Sequence, residues 1–300
     1  MNMRVFVTGA TGFIGSAVVK ELIAAKHEVV GLSRSAEKSA ALSAAGATVL
    51  QGTIQDEDVL RKGAAESDGV IHLAFNHDFS NFAANCADDR RVITALGSSL
   101  VGSDRPLVVT SGAPIAKTVP GEPAKEYNAI LSSIHHPRAI TEEAALDMAA
   151  LGVNISVVRV PQVHDTKRQG LISPVIDIYR AKGVCTYVGD GQITWPAAHV
   201  LDVARLYRLV VERAEPNSKY HAVAEEGISM RDIAETLAKR LKLPAKSITK
   251  EEAPAFFGWL AMFADIDMRS SSELTRKVLG WNPTGPLLLD DLANLELSNP

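Results

Sequence analysis

The sequence predicts an α/β protein: a doubly wound parallel sheet with a smaller C-terminal lobe. Three observations predict it. Through the first 160 residues, short apolar runs alternate with helix-forming stretches, a pattern that builds right-handed βαβ units with helices on both faces of a parallel sheet. The first apolar run enters three glycines spaced three apart, Gly9, Gly12 and Gly15, and then an amphipathic segment. After Val160 the alternation gives way to irregular text with helical islands.

The strands are expected at residues 4–8, 28–32, 48–51, 69–74, 107–111 and 154–160, each a short, mostly apolar run suited to burial on both faces. Helices are expected between them at 16–25, 35–45, 56–65, 89–101 and 138–151. In the second half, 171–181 and 199–213 read as helices, Gly189-Asp190-Gly191 as a turn and 220–224 as one more strand. Ser229 is placed to cap a helix over 230–241, with Asp232 in its first turn. A last helix over 270–279 stops at Gly280-Trp281-Asn282-Pro283. The expected division is a nucleotide domain over 1–160, completed by the strand near 220–224, and a discontinuous smaller lobe drawn mainly from 161–300.

The glycine run carries specific chemistry. Gly9 allows a tight strand-to-helix turn, Gly12 lets the backbone approach a pyrophosphate, and Gly15 lets helix and strand pack closely. The first N–H groups of the helix are then free to bind phosphate oxygens, so the segment implies a Rossmann-type dinucleotide site that includes Thr11.

Composition narrows the partners. A net charge of −4 over 300 residues gives no basic excess for nucleic acid. No apolar run reaches a membrane span, and the chain enters its first strand without the pattern of a signal peptide. Cys86 and Cys185 have no metal-like or redox-like spacing. The expectation is a cytoplasmic protein with free thiols, no metal and a small-molecule substrate, and with no nucleic-acid or membrane partner.

The run Thr8-Gly9-Ala10-Thr11-Gly12-Phe13-Ile14-Gly15 resembles the extended branch of the short-chain dehydrogenase/reductase superfamily, the epimerase/dehydratase-like members. The segment Ile193 to Ala204 and the ending Leu279-Gly280-Trp281-Asn282-Pro283 are similar to that branch too. The resemblance implies a nicotinamide cofactor in a cleft before a substrate lobe. Phe13 and Ile14 would line that cleft. Ser33, at the end of the second strand, stands where an acid would bond the adenosine ribose, and Arg34 follows it. A guanidinium can grip a 2′-phosphate, so NADP(H) is expected over NAD(H). Thr53 and Ile54 stand at the adenine side, and Leu73, Ala74 and Phe75 under the nicotinamide ribose. Thr110 lies beside Ser111, which occupies the family's active-site serine position, while Pro161 and Val163 fall in a segment bordering the nicotinamide.

The resemblance also implies a Tyr-x-x-x-Lys pair for proton transfer, and the chain lacks one. Four residues after Tyr127, Tyr179, Tyr187, Tyr207 and Tyr220 stand Leu131, Gly183, Gly191, Val211 and Ala224. Counting back from Glu142 puts Arg138 in the lysine position and Ile134 in the tyrosine position. Arginine keeps a cation for ribose hydroxyls but does not shuttle protons at neutral pH. Pro137 suggests that the helix starts close to it. His135, His136, Tyr127 and His164 are candidate substitute donors, with Ser111, Arg138, His136 and Tyr127 the preferred catalytic set.

Three functions remain open. The first is an NADP(H)-dependent oxidoreductase acting on a small carbonyl or alcohol. The second is an epimerase or dehydratase with a bound nicotinamide cofactor. The third is a non-catalytic, dinucleotide-binding redox sensor. Trp195, Phe256, Phe257, Trp259 and Phe263 suit an apolar pocket or lid, or equally the core of the lobe. A monomer or a homodimer packed through 132–151 is expected.

Overall fold

The computed structural model describes residues 2–119 and 121–297. Among the described residues twelve strands run in chain order: β1 Arg4–Thr8, β2 Glu28–Ser33, β3 Thr48–Gln51, β4 Gly69–His72, β5 Leu107–Gly112, β6 Ile155–Val160, β7 Gln162–His164, β8 Cys185–Val188, β9 Thr194–His199, β10 Lys219–His221, β11 Glu225–Ser229 and β12 Ala245–Ile248. The helices are α1 Phe13–Ala24, α2 Ala36–Ala44, α3 Glu57–Ala65, α4 Phe82–Ser98, α5 Ile140–Ala150, α6 Ile172–Lys182, α7 Val200–Arg213, α8 Met230–Leu241, α9 Ala253–Phe257, α10 Glu273–Leu279 and α11 Leu288–Ala293.

Seven strands form one sheet in the order β10-β6-β5-β4-β1-β2-β3, and every pairing in it is parallel. The order reverses between β1 and β4, which opens the crevice where ligands of doubly wound sheets bind. One face is covered by α1 and α7, whose Val18, Leu22, Val203 and Tyr207 are fully buried. The other carries Leu60, Val92, Leu96 and Met148 from α3, α4 and α5. The smaller lobe holds a three-stranded sheet, β11-β9-β7, and a β12-β8 pair. Its core gathers Ile176, Tyr179, Ile233, Leu237, Phe257 and Leu288.

The expected elements of the large sheet all form, with shifted ends. Helix α1 begins at Phe13 because Gly12, extended at φ −78° and ψ −178°, is its N-cap. Helix α4 begins at Phe82 rather than at 89. Ahead of α5 a 3-10 turn over Pro137–Ala139 starts at the proline. Ser229 does cap α8, its hydroxyl accepting from the Asp232 N–H at 3.0 Å. Strands β7, β8, β11 and β12 had no sequence signal: β7 is three residues long, and β12 exposes most of its residues. Among the described residues no helix is long and apolar enough to cross a membrane.

Candidate active site

At the carboxyl ends of the parallel strands, the two lobes enclose a cleft of about 1060 Å³. Its floor is the glycine run. Gly9 has φ +68°, and a Cβ there would lie 2.7 Å from the Ala74 nitrogen; a Cβ on Gly15 would lie 2.0 Å from the Gly9 oxygen. Helix α1 has no side-chain cap and no acid in its first turn, so its N–H groups and dipole face the cleft without a competing anion. A cradle that side chains would fill, at an uncapped helix N-terminus, fits the pyrophosphate of a dinucleotide.

Gly9, Thr11, Gly12, Phe13, Ile14, Gly15, Arg34, Thr53, Ile54, Leu73, Ala74, Phe75, Thr110, Ser111, Arg138, Pro161 and Val163 all line this cleft. Ser33 does not. It is buried, with its hydroxyl donating to the Ser35 carbonyl and accepting from Ser39 Oγ, so it serves the turn rather than a ligand.

Arg138 is a cation of the cleft wall, and its position is fixed from four sides. Nη1 donates to Asp89 Oδ2 at 2.6 Å and also to Thr141 Oγ1. Nη2 donates to the Thr110 carbonyl at 2.8 Å, and the guanidinium carbon lies 4.0 Å from the centre of the Phe75 ring. Asp89 is buried and also receives Thr141 Oγ1 at 2.5 Å and His72 Nε2 at 3.0 Å. Burial alone would raise its carboxyl pKa. The Arg138 charge, His72 and Thr141 outweigh that and hold it well below the usual carboxylate range. The other ring nitrogen of His72 lies 2.6 Å from Thr8 Oγ1, directly before Gly9. A continuous polar chain therefore ties the glycine cradle to Arg138.

Ser111 stands at the end of β5, beside Arg159 of β6. Its hydroxyl is buried and has no hydrogen-bond partner among the described residues. Thr110 is occupied: its hydroxyl donates to the His72 carbonyl at 2.8 Å and lies 2.7 Å from Tyr207 Oη.

The substitute donors expected from the sequence are not in the cleft. Tyr127 is 68% exposed and His136 is not among the lining residues; both lie between β5 and α5, ahead of the proline turn. His164 is fully buried against Asp291 Oδ2 at 2.7 Å. Ile134, 86% exposed, precedes the helix and points away from any buried role. Glu142, the reference for that count, is committed to a buried bidentate pair with Arg159 at 2.8 Å.

The cleft instead contains His77, which the sequence reading passed over. It lies two residues beyond Phe75 and packs edge-on against that ring at 5.2 Å. The protein around the ring lowers its pKa from the ordinary histidine value, and the Arg138 charge lowers it further. Asp89, Lys38 and Arg168 were also missed, whereas Trp195, Trp259 and Phe263, named as candidates for an apolar pocket, do line the cleft. The only available signal for His77 was its place in the loop after the fourth strand. Among the described residues no cluster suited to a metal ion is found.

A glycine cradle at the switch point of a parallel sheet, facing a second lobe, defines the class of α/β dinucleotide-binding proteins. The chain belongs to the NAD dependent epimerase/dehydratase family, whose model matches residues 5–223. It is 45% identical to an uncharacterized protein of Schizosaccharomyces pombe over 97% of this chain and 99% of that one. It is 28% identical to a UDP-glucose 4-epimerase of Streptomyces lividans over 95% of this chain and 92% of that one. Among solved structures, the NAD complex of a UDP-glucose 4-epimerase from Thermus thermophilus superposes with a TM-score of 0.73 at 19% identity, covering 98% of this chain and 97% of that one. A dTDP-glucose 4,6-dehydratase from Streptomyces venezuelae, with NAD bound, gives 0.75 at 17% identity over 98% and 95%.

These structures correct the cofactor expected from Ser33 and Arg34. The dTDP-glucose 4,6-dehydratase of Streptomyces venezuelae and the UDP-glucose 4-epimerases of Thermus thermophilus and Stenotrophomonas maltophila, all like-folded, hold NAD. Ser33, closed into its own turn, offers no hydroxyl to a 2′-phosphate.

Proposed function

We propose that the protein is an NAD-dependent enzyme of the epimerase/dehydratase type, acting on a carbinol carbon of a small molecule. The observation that carries this reading is the pairing of an unpartnered Ser111 hydroxyl with a fixed Arg138 guanidinium behind the glycine cradle. The nicotinamide, when bound, supplies the two-electron acceptor. The Ser111 hydroxyl donates to the substrate oxygen. Arg138 holds the ribose hydroxyls and stabilises negative charge near that oxygen. His77, which lines the cleft edge-on to Phe75, takes the carbinol proton and returns it. The lining residues Thr11, Arg34, Thr53 and Ile54 would hold the adenosine half, and Leu73, Ala74, Pro161 and Val163 the nicotinamide half.

The test is incubation with NAD and a panel of carbinols that includes UDP-glucose and dTDP-glucose. Epimer or dehydrated product formed without accumulation of NADH supports this reading. Stoichiometric NADH would assign a simple dehydrogenase. A second reading, dinucleotide binding without turnover, is favoured by Ile134 in the tyrosine position. Tight NAD binding with no product from any carbinol would establish it.

A further inference from the structure

The walls of the cleft differ in chemistry. The Asp, Glu, Lys and Arg side chains that line it are Arg34, Lys38, Asp89, Arg138 and Arg168. Arg34 and Lys38 follow β2, at the adenosine end. Asp89 and Arg138 form the buried pair, and Arg168 stands 5.9 Å from the Phe13 ring, over the cradle. The wall beyond the nicotinamide end is different. Phe79, from the loop after β4, stacks face to face on Trp259 of the smaller lobe, with ring centres 4.1 Å apart and planes 15° apart. Phe263 meets both rings edge-on at 6.5 Å. Phe263 belongs to the lobe core, whereas Trp259 remains 43% exposed. Trp195 Nε1 and Gln162 Nε2, of two more lining residues, are neutral, buried and without a hydrogen-bond partner among the described residues.

We propose that this half of the cleft takes an uncharged substrate with a flat, aromatic ring next to its reacting carbinol or carbonyl carbon, and that Phe79 and Trp259 are the residues that select it. The inference rests on the reading of the cleft as the active site of a nicotinamide enzyme. A sugar nucleotide carries a diphosphate of its own and needs cations beside it. The smaller-lobe cation that lines the cleft, Arg168, stands at Phe13 by the cradle, and Phe79, Trp259 and Phe263 bring no charge to the wall they form. Three rings in stacked and edge-on contact offer another ring the offset or perpendicular packing that aromatic groups prefer. The neutral N–H donors suit a carbonyl, ether or phenol oxygen rather than a phosphate. Phe79 and Trp259 come from opposite lobes, so a ring held against them also draws the lobes together.

The test uses the full chain loaded with NADH and measures binding calorimetrically. The probes are 2-acetylnaphthalene, the size-matched saturated ketone and UDP-glucose. The naphthyl ketone is expected to bind most tightly. Trp259→Ala should weaken it by about tenfold or more, the loss of one aromatic packing partner, while Trp259→Phe keeps most of the affinity and NADH binding is unchanged in both. Tighter binding of UDP-glucose than of either ketone overturns the proposal, as does unchanged naphthyl-ketone affinity in Trp259→Ala. Failure of NADH itself to bind the unaltered protein would refute the underlying functional reading instead.

Discussion

Asp89 Oδ2 lies 2.6 Å from Arg138 Nη1, and the carboxylate is buried while the guanidinium reaches the cleft. The pair does two jobs: it neutralises a charge inside the domain and it aims the Arg138 guanidinium into the cleft. Removing the acid leaves Arg138 half-buried and unbalanced, which costs about 3–5 kcal/mol for a buried pair broken on one side. Asp89→Asn is therefore expected to lower Tm and weaken NADH binding together, as read by thermal denaturation and fluorescence titration.

The same pair sets an acid limit. The folded pKa of Asp89 is depressed below its unfolded value. Its stabilisation is fully present above the unfolded pKa, about 4, and is lost as pH falls from there through the lower folded value. The Tm of the native protein should fall through this acid range more steeply than that of Asp89→Asn. Parallel Tm profiles would remove Asp89 as a source of the acid sensitivity.

Ser111→Ala separates stability from chemistry. The hydroxyl is buried without a partner, so its removal relieves an unsatisfied group. Tm is expected to stay level or rise slightly. Turnover should fall by about 10²-fold, the loss of one donor to a developing oxyanion. A large drop in Tm would show that Ser111 has a structural role.

His77→Gln is expected to lower turnover by about 10²-fold or more and to abolish a limb of the pH profile. A neutral imidazole accepts the proton, so activity should be present at neutral pH and lost as pH falls through a value below the ordinary histidine pKa of 6.5. Tyr127→Phe, on the exposed loop, should leave both rate and profile unchanged.

The cradle offers a graded test. A Cβ on Gly15 would meet the Gly9 carbonyl at 2.0 Å, whereas one on Gly12 would stand 3.1 Å from it. Gly15→Ala must displace backbone and is expected to cost about 1–3 kcal/mol and most NADH affinity. Gly12→Ala should cost less stability and mainly weaken binding.

The large sheet was legible because its signals are local: apolar runs, breaks and the glycine spacing each fall within about ten residues of one another. The cleft-lining residues were legible to the extent that they sit at strand ends, as Thr53, Leu73 and Ser111 do. Two kinds of fact were out of reach. Asp89 lies in α4 and reaches His72, Thr141 and Arg138 only through the fold, so nothing near it in the chain marks it. The fate of a loop was equally hidden: His77 and His136 are both histidines beside turn residues, and only the packing shows which enters the cleft. Arg34 is one exposed charge, and only the fold shows that the Ser33 hydroxyl beside it is tied to Ser35 and Ser39.

Strand β10 pairs with β6, yet β7 to β9 and helix α7 intervene between them in the chain. The chain thus leaves the large sheet, builds part of the second lobe and returns to finish the first. No single cut releases either lobe whole. A truncation after β6 would strip that strand of its neighbour and leave a bare parallel edge open to pairing with other chains. Exchange of substrate lobes between relatives therefore has to be done as a double graft that spares residues 219–221, and a nascent chain cannot complete its nucleotide domain until β10 and the lobe segment before it have been made.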